Sequence, residues 1–235
     1  LLRAYSLAIP YVKGELLELG CGEGRGVELL SPLVNSYLAL DKIDEVIQKL
    51  KPRFPNVDFK QGVFPPFTGL DENSFDTIVS FQVIEHVKKD ADFLKEIYRV
   101  LKPGGTAVLT TPNIKKTLSR NPWHEREYTA RELTDLASKH FEQVEMKGVA
   151  GNEKVMAYYE ENKKSVEKIT RFDIFNLQYR LPNALLRIPY DILNRMNRNK
   201  LNQSNTNLVA DIVETDYFIS DTPDEALDLF LILRK

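Results

Sequence analysis

Short apolar runs alternate along the chain with stretches in which apolar residues recur every third or fourth position. The runs at 15–19, 36–40, 56–60, 75–80 and 106–111 have strand length and end at polar or turn-forming residues. Between them, 24–30, 43–50 and 88–101 carry helical spacing, and Lys102-Pro103-Gly104-Gly105 stops the last of these. Strand and helix in this alternation predict βαβ units, hence a mostly parallel α/β sheet with helices on both faces. A further helix is predicted at 129–140, opened by Thr129 with Glu132 at capping-box spacing. Sixth and seventh strands are predicted at 141–148 and 227–233, giving a seven-stranded sheet.

Between the last two strands lie residues 150–215, too many for a simple connection. The pattern predicts a helix at 155–169 and apolar helical faces from Phe172 and Phe175 to Met196, broken at Pro182 and Pro189. The polar residues 197–207 read as an exposed loop. The expected organisation is therefore a core at 1–149, a helical insertion or cap at 150–215, and a final strand at 216–235 that completes the sheet. Residues 171–200 hold six Arg or Lys against two Asp, a local charge of +4. Two readings of the segment stand side by side. It is a helical pair packed on the sheet or on a second subunit, or a cap that shapes an apolar acceptor pocket and meets an anionic head group or membrane surface through its basic residues.

The whole chain carries 32 Lys and Arg against 34 Asp and Glu, so no global field draws it to nucleic acid, and no nucleic-acid partner is expected. With Cys21 as the single cysteine no intrachain disulfide can form, which points to a reducing compartment and the cytoplasm. No apolar run is long enough to span a bilayer, and the first ten residues lack a secretion pattern. The chain starts at Leu1 without an initiator Met, so a trimmed N-terminus is expected.

The most informative segment runs from Glu15 to Gly26, a strand that feeds a glycine-rich turn and then a helix. Such a turn lets a ligand approach bare amides at a helix N-terminus. A dinucleotide fingerprint fails, because its third glycine would fall on Arg25 or on Val27, and a P-loop fails for want of a Gly-Lys-Ser/Thr triplet. Glu18 and Glu23 would repel a pyrophosphate but suit a cationic ligand.

On Glu18, Gly20, Gly22 and Gly24 the chain resembles the class I S-adenosylmethionine-dependent methyltransferases, whose first motif has this acidic, glycine-spaced form. The resemblance implies a Rossmann-like fold and S-adenosylmethionine as cofactor. It places Asp41, beside Lys42, on the ribose hydroxyls, and Cys21 as a small spacer within the turn. It places Phe81, Gln82 and Val83 along the cofactor, and gives residues 101–105 as the turn into the fifth strand. Where the family often has an acid for the adenine, this chain has Gly62, Val63 and Phe64, so main chain at Val63 and an apolar wall at Phe64 are expected there.

His86 and His124 are the candidate general bases, with Glu85 or Glu125 as orienting partner. The loop around His124 is similar to that of methyltransferases of quinone and glycan biosynthesis. No metal is expected. The expected reaction is methyl transfer to a small-molecule, glycan or lipid-like acceptor, at oxygen. The alternatives are a cofactor-binding protein without catalysis and another nucleotide-dependent α/β enzyme.

Overall fold

The computed structural model describes residues 2–171, 173, 177–204 and 212–235. Its strands are β1 (Glu15–Leu19), β2 (Ser36–Asp41), β3 (Asp58–Gln61), β4 (Phe75–Phe81), β5 (Leu101–Pro112), β6 (Gln143–Gly151), β7 (Tyr217–Ser220) and β8 (Asp228–Arg234). The helices are α1 (Leu2–Ala8), α2 (Val27–Leu30), α3 (Asp44–Leu50), α4 (Asp90–Val100), α5 (Ala130–Ala137), α6 (Glu153–Thr170), α7 (Leu177–Arg180) and α8 (Asn183–Ser204). The sheet order is β3-β2-β1-β4-β5-β8-β6-β7. β1 to β5 pair in parallel, whereas β8 runs antiparallel between β5 and β6. The chain leaves β1 towards β2 on one side and returns to β4 on the other, so a cleft opens at the carboxyl ends of β1 and β4.

Each sheet face is sealed by its own cluster. Phe93, Leu94 and Ile97 of α4 and Leu133 and Leu136 of α5 meet Leu17, Leu19, Ile78 and Leu109 on one face. Ala4 and Tyr5 of α1 and Ile47 and Leu50 of α3 meet Leu16, Val79, Val108 and Phe230 on the other. Phe93 and Ile97 are fully buried, and side chains of this kind contribute about 1.5 to 3 kcal/mol each. The helical spacing in the sequence is thus the imprint of a two-sided core.

The sheet has eight strands rather than seven. β7 escapes the sequence pattern because it is a four-residue edge strand with no buried side chain, paired only with β6. β5 begins at Leu101, so the Lys102–Gly105 stretch expected as a turn lies inside the strand, where the register with β4 shifts. α2 begins only at Val27, because Gly22 and Gly24 have positive φ and cannot belong to a right-handed helix. Thr129 caps α5 in a reciprocal box with Glu132, as its spacing requires. Pro182 separates α7 from α8, while Pro189 sits inside α8 without ending it. The loop expected from Asn197 is helix as far as Ser204. Asn197 itself is buried, donating to Asn162 Oδ1 and accepting from Ser165 Oγ of α6. Phe172, Phe175 and residues 205–207 lie outside the described residues.

Candidate active site

The glycine turn hangs from β2, where Gly20 N and Cys21 N both donate to Leu40 O at 2.8 and 3.1 Å. Its glycines have two different jobs. A Cβ on Gly20 would lie 2.4 Å from Val83, one on Gly24 2.6 Å from Leu50, and one on Gly26 2.0 Å from the Tyr5 ring. At Gly22, with φ +49°, a Cβ would meet nothing within 4 Å. Three glycines therefore serve close packing, and the fourth borders open space.

Asp41, at the end of β2, borders the same space. Its Oδ2 accepts from Gly22 N at 2.9 Å and its Oδ1 from Ile43 N at 3.0 Å, and only 7% of the residue is exposed. Two amides hold this carboxylate, and each oxygen keeps a lone pair for a further donor. Lys42 beside it is exposed, and its carbonyl accepts from Gln61 Nε2. Beyond β3, Gly62 has room in front of it, Val63 is exposed, and Phe64 stacks on Phe93 and meets Phe67 edge-on.

The acidic residues expected to flank the ligand are otherwise engaged. Both oxygens of Glu18 accept tyrosine hydroxyls, from Tyr5 at 2.6 Å and Tyr37 at 2.5 Å, and burial raises the carboxyl pKa. Glu18 therefore supports the turn from within the core. Glu23 is exposed and paired with Arg25 at 2.9 Å, so its charge is largely neutralised. Burial pushes the Cys21 thiol up, which fits a spacer and not a nucleophile. The Phe81 ring packs edge-on against Tyr5, leaving only its main chain for the cleft. Gln82 is a non-glycine residue with φ +59°, a conformation that costs of order 1–3 kcal/mol and concentrates at functional sites. Its side-chain amide lies 3.5 Å from Thr110 Oγ1, beside the half-buried Asp228 of β8.

Opposite the glycine turn, residues 84–86 and the loop 117–127 interlock. Glu125 N and Arg126 N donate to Glu85 O at 2.7 and 3.2 Å. The His86 and His124 rings meet edge to face with centroids 4.9 Å apart. His124 is fully engaged: Nδ1 meets Glu127 Oε1 at 2.6 Å and Nε2 meets Asn121 Nδ2 at 2.8 Å. Asn121 Oδ1 accepts from Trp123 N, so the amide nitrogen faces His124 and Nε2 accepts from it. The orienting acid is thus Glu127, not Glu125, which is exposed. His86 is different. Its Nδ1 donates to Trp123 O at 2.9 Å, which fixes the tautomer, and among the described residues its Nε2 has no hydrogen bond. Burial lowers its pKa, and the Lys42 ammonium across the cleft adds to the shift. Glu85 lies 4.0 Å from that Nε2 and accepts from Thr111 Oγ1, with its carboxyl pushed up by burial to about 7. Glu85, His86 and His124 also bring three potential ligand atoms within 4.8 Å of one another.

Comparison with known proteins agrees with this geometry. Residues 17–109 match the family model described as a methyltransferase domain. Over that stretch the chain is similar to S-adenosylmethionine-dependent methyltransferases. A probable S-adenosylmethionine-dependent methyltransferase of Mycolicibacterium smegmatis is 39% identical over 128 residues, which cover 52% of this chain and 49% of that protein. The mitochondrial ubiquinone biosynthesis O-methyltransferase of Rattus norvegicus is 35% identical over 106 residues, covering 42% of this chain and 31% of that one. The chain spans about half the length of the first curated relatives it matches. Among solved structures, an S-adenosylmethionine-dependent methyltransferase of Thermotoga maritima, possibly a histamine N-methyltransferase, superposes with a TM-score of 0.61 at 17% identity. That superposition covers 100% of this chain and 91% of that one, a likeness of fold. The methyltransferase cofactor suits the residues present: Gly22 leaves the space, and Asp41 offers two lone pairs for vicinal hydroxyls. No described helix is long and apolar enough to cross a membrane.

Proposed function

We propose that this methyltransferase domain transfers the methyl group of S-adenosylmethionine to an oxygen of a small-molecule, glycan or lipid-like acceptor, with His86 as general base. The observation that carries the reading is the His86 imidazole. It is held by one nitrogen on Trp123 O, desolvation lowers its pKa, and among the described residues its other nitrogen has no hydrogen bond. An alcohol or phenol must lose its proton as it attacks, and such a base within hydrogen-bond reach contributes about 100- to 10,000-fold.

S-adenosylmethionine supplies a methyl carbon on a positively charged sulfur, so the acceptor oxygen needs only alignment and deprotonation. Asp41 and the main chain at Gly22 hold and orient the cofactor, with Gly62, Val63 and Phe64 beside the adenine. His86 Nε2 takes the acceptor proton, with the Glu85 carboxyl, pushed up by burial, 4.0 Å from that nitrogen. His124, clasped between Glu127 and Asn121, positions the loop that carries Trp123.

The test is incubation of the protein with methyl-labelled S-adenosylmethionine and fractionated extracts, followed by identification of the labelled product. A labelled methyl ether or ester whose formation falls with His86→Ala supports the reading. Cofactor binding without any labelled product would identify a binding protein instead.

A further inference from the structure

We propose that the cavity enclosed by α6, α7, α8 and the loop at Ser119–Pro122 binds the hydrocarbon tail of an amphiphilic acceptor. This rests on the methyl-transfer reading and names the acceptor's class. The cavity measures about 460 Å³, within the usual range for small-ligand sites. Its wall is mainly Leu177, Leu181, Leu185, Leu186, Pro189 and Leu193. Several polar groups of its lining are already engaged within the protein. Arg120 donates to Gln178 O at 2.7 Å and to Asn183 Oδ1, Asp173 accepts from Leu177 N and Gln178 N, and Asn197 is bonded to Ser165 and Asn162. Apolar side chains make up most of the remaining wall, and each buried methylene strengthens binding about fourfold.

The cavity borders two features of different character. At one, Ser119, Arg120 and Pro122 run directly into Trp123 and His124, and Tyr190 of the wall lies close enough to Glu127 for that carboxylate to raise its pKa. Trp123 is pinned there by Nε1 to Asp191 Oδ1 at 3.1 Å and by the Arg187 guanidinium 4.4 Å from its ring. The other is an exposed apolar stripe on α8, with Leu185 63% exposed and Ile188, Ile192 and Met196 each more than half exposed. A tail lying in this cavity would place the acceptor head near the loop that holds His86. The tail can come from a bilayer or from a monomeric amphiphile.

Fluorescence titration with cis-parinaric acid, a polyene fatty acid, tests the cavity without requiring the true acceptor. The wild-type protein should bind one probe, and decanoate, dodecanoate and tetradecanoate should displace it with affinity rising at each step. Leu186→Trp, which fills the cavity, and Leu193→Gln, at its half-exposed wall, should each weaken the probe at least tenfold while S-adenosylmethionine binding by calorimetry stays unchanged. That calorimetry also reports whether each variant is folded. Probe affinity unchanged in both folded variants, or the absence of any chain-length trend, would overturn the proposal. His86→Ala should keep full probe binding, so loss of methyl transfer in that variant bears on the catalytic reading alone. With probe binding established, sedimentation with phosphatidylcholine–phosphatidylglycerol vesicles assigns the tail to a bilayer, and failure to sediment assigns it to a monomer.

Discussion

The rim of the cleft at Gly22 is a glycine turn beside one caged carboxylate at the end of β2, whereas the rim at His86 is assembled from residues 84–86, the loop 117–127 and α8. On the first, the proposed cofactor site needs only a glycine turn that leaves space at Gly22 and one aspartate held by two amides. On the second, His86 depends on the carbonyl of Trp123, and Trp123 depends on Asp191 and Arg187 of α8. The difference teaches that the first rim rests on the packed core and the second on a loop contact. The turn is held by Leu40 of β2 and by packing on Val83, Leu50 and Tyr5, while the proposed base takes its tautomer from a loop that α8 holds in place.

Substitutions on the two rims should therefore separate binding from turnover. The largest effect is expected for Gly22→Val, which puts a branched side chain into the only open side of the turn at φ +49°. Calorimetry should detect no S-adenosylmethionine binding, while circular dichroism stays that of the folded protein. Next comes His86→Ala, which should reduce turnover of the identified acceptor by about 100- to 10,000-fold and leave cofactor affinity as it was. Turnover of the wild type should fall on the acid side with a midpoint below the ordinary histidine value of 6.5, because burial lowers the His86 pKa and only the neutral ring accepts a proton. Trp123→Ala should lower kcat by up to about 100-fold through misplacement of the loop, with the acid limb displaced as the ring loses its anchor. A change in KM alone would mean that Trp123 contacts the acceptor rather than positioning His86. The smallest functional effect is expected for Gly26→Ala. Its methyl would collide with the Tyr5 ring, costing about 1 to 3 kcal/mol of stability in a thermal melt with little change in affinity.

The same division explains what was legible in the sequence. The glycine turn, Asp41 and the first five strands could be read because each is encoded by neighbours in the chain, through spacing, turn residues and apolar period. The roles within the turn could not be read, since Gly20, Gly24 and Gly26 look like Gly22 until Val83, Leu50 and Tyr5 are seen against them. Glu18 appeared as a ligand for the cofactor because the tyrosines that take up its oxygens lie 13 residues before it and 19 after it. His86 and His124 were both visible as candidates. Which one has a free nitrogen depends on Asn121, Glu127 and Trp123, and only the folded loop reveals that. Glu127 as the partner of His124 carries a weak sequence signal, an acid three residues on; Asp228 beneath Gln82 carries none.

The account stands or falls on the separation of the two rims, and parallel calorimetric titration of S-adenosylmethionine into Asp41→Ala and His86→Ala tests it most directly. Asp41 loses two charge-assisted hydrogen bonds to the ribose, each worth about 1.5 to 3 kcal/mol, so affinity should fall by about two to four orders of magnitude. His86→Ala should bind as tightly as the wild type. Unchanged affinity in Asp41→Ala, or an equal loss in both proteins, would contradict the account.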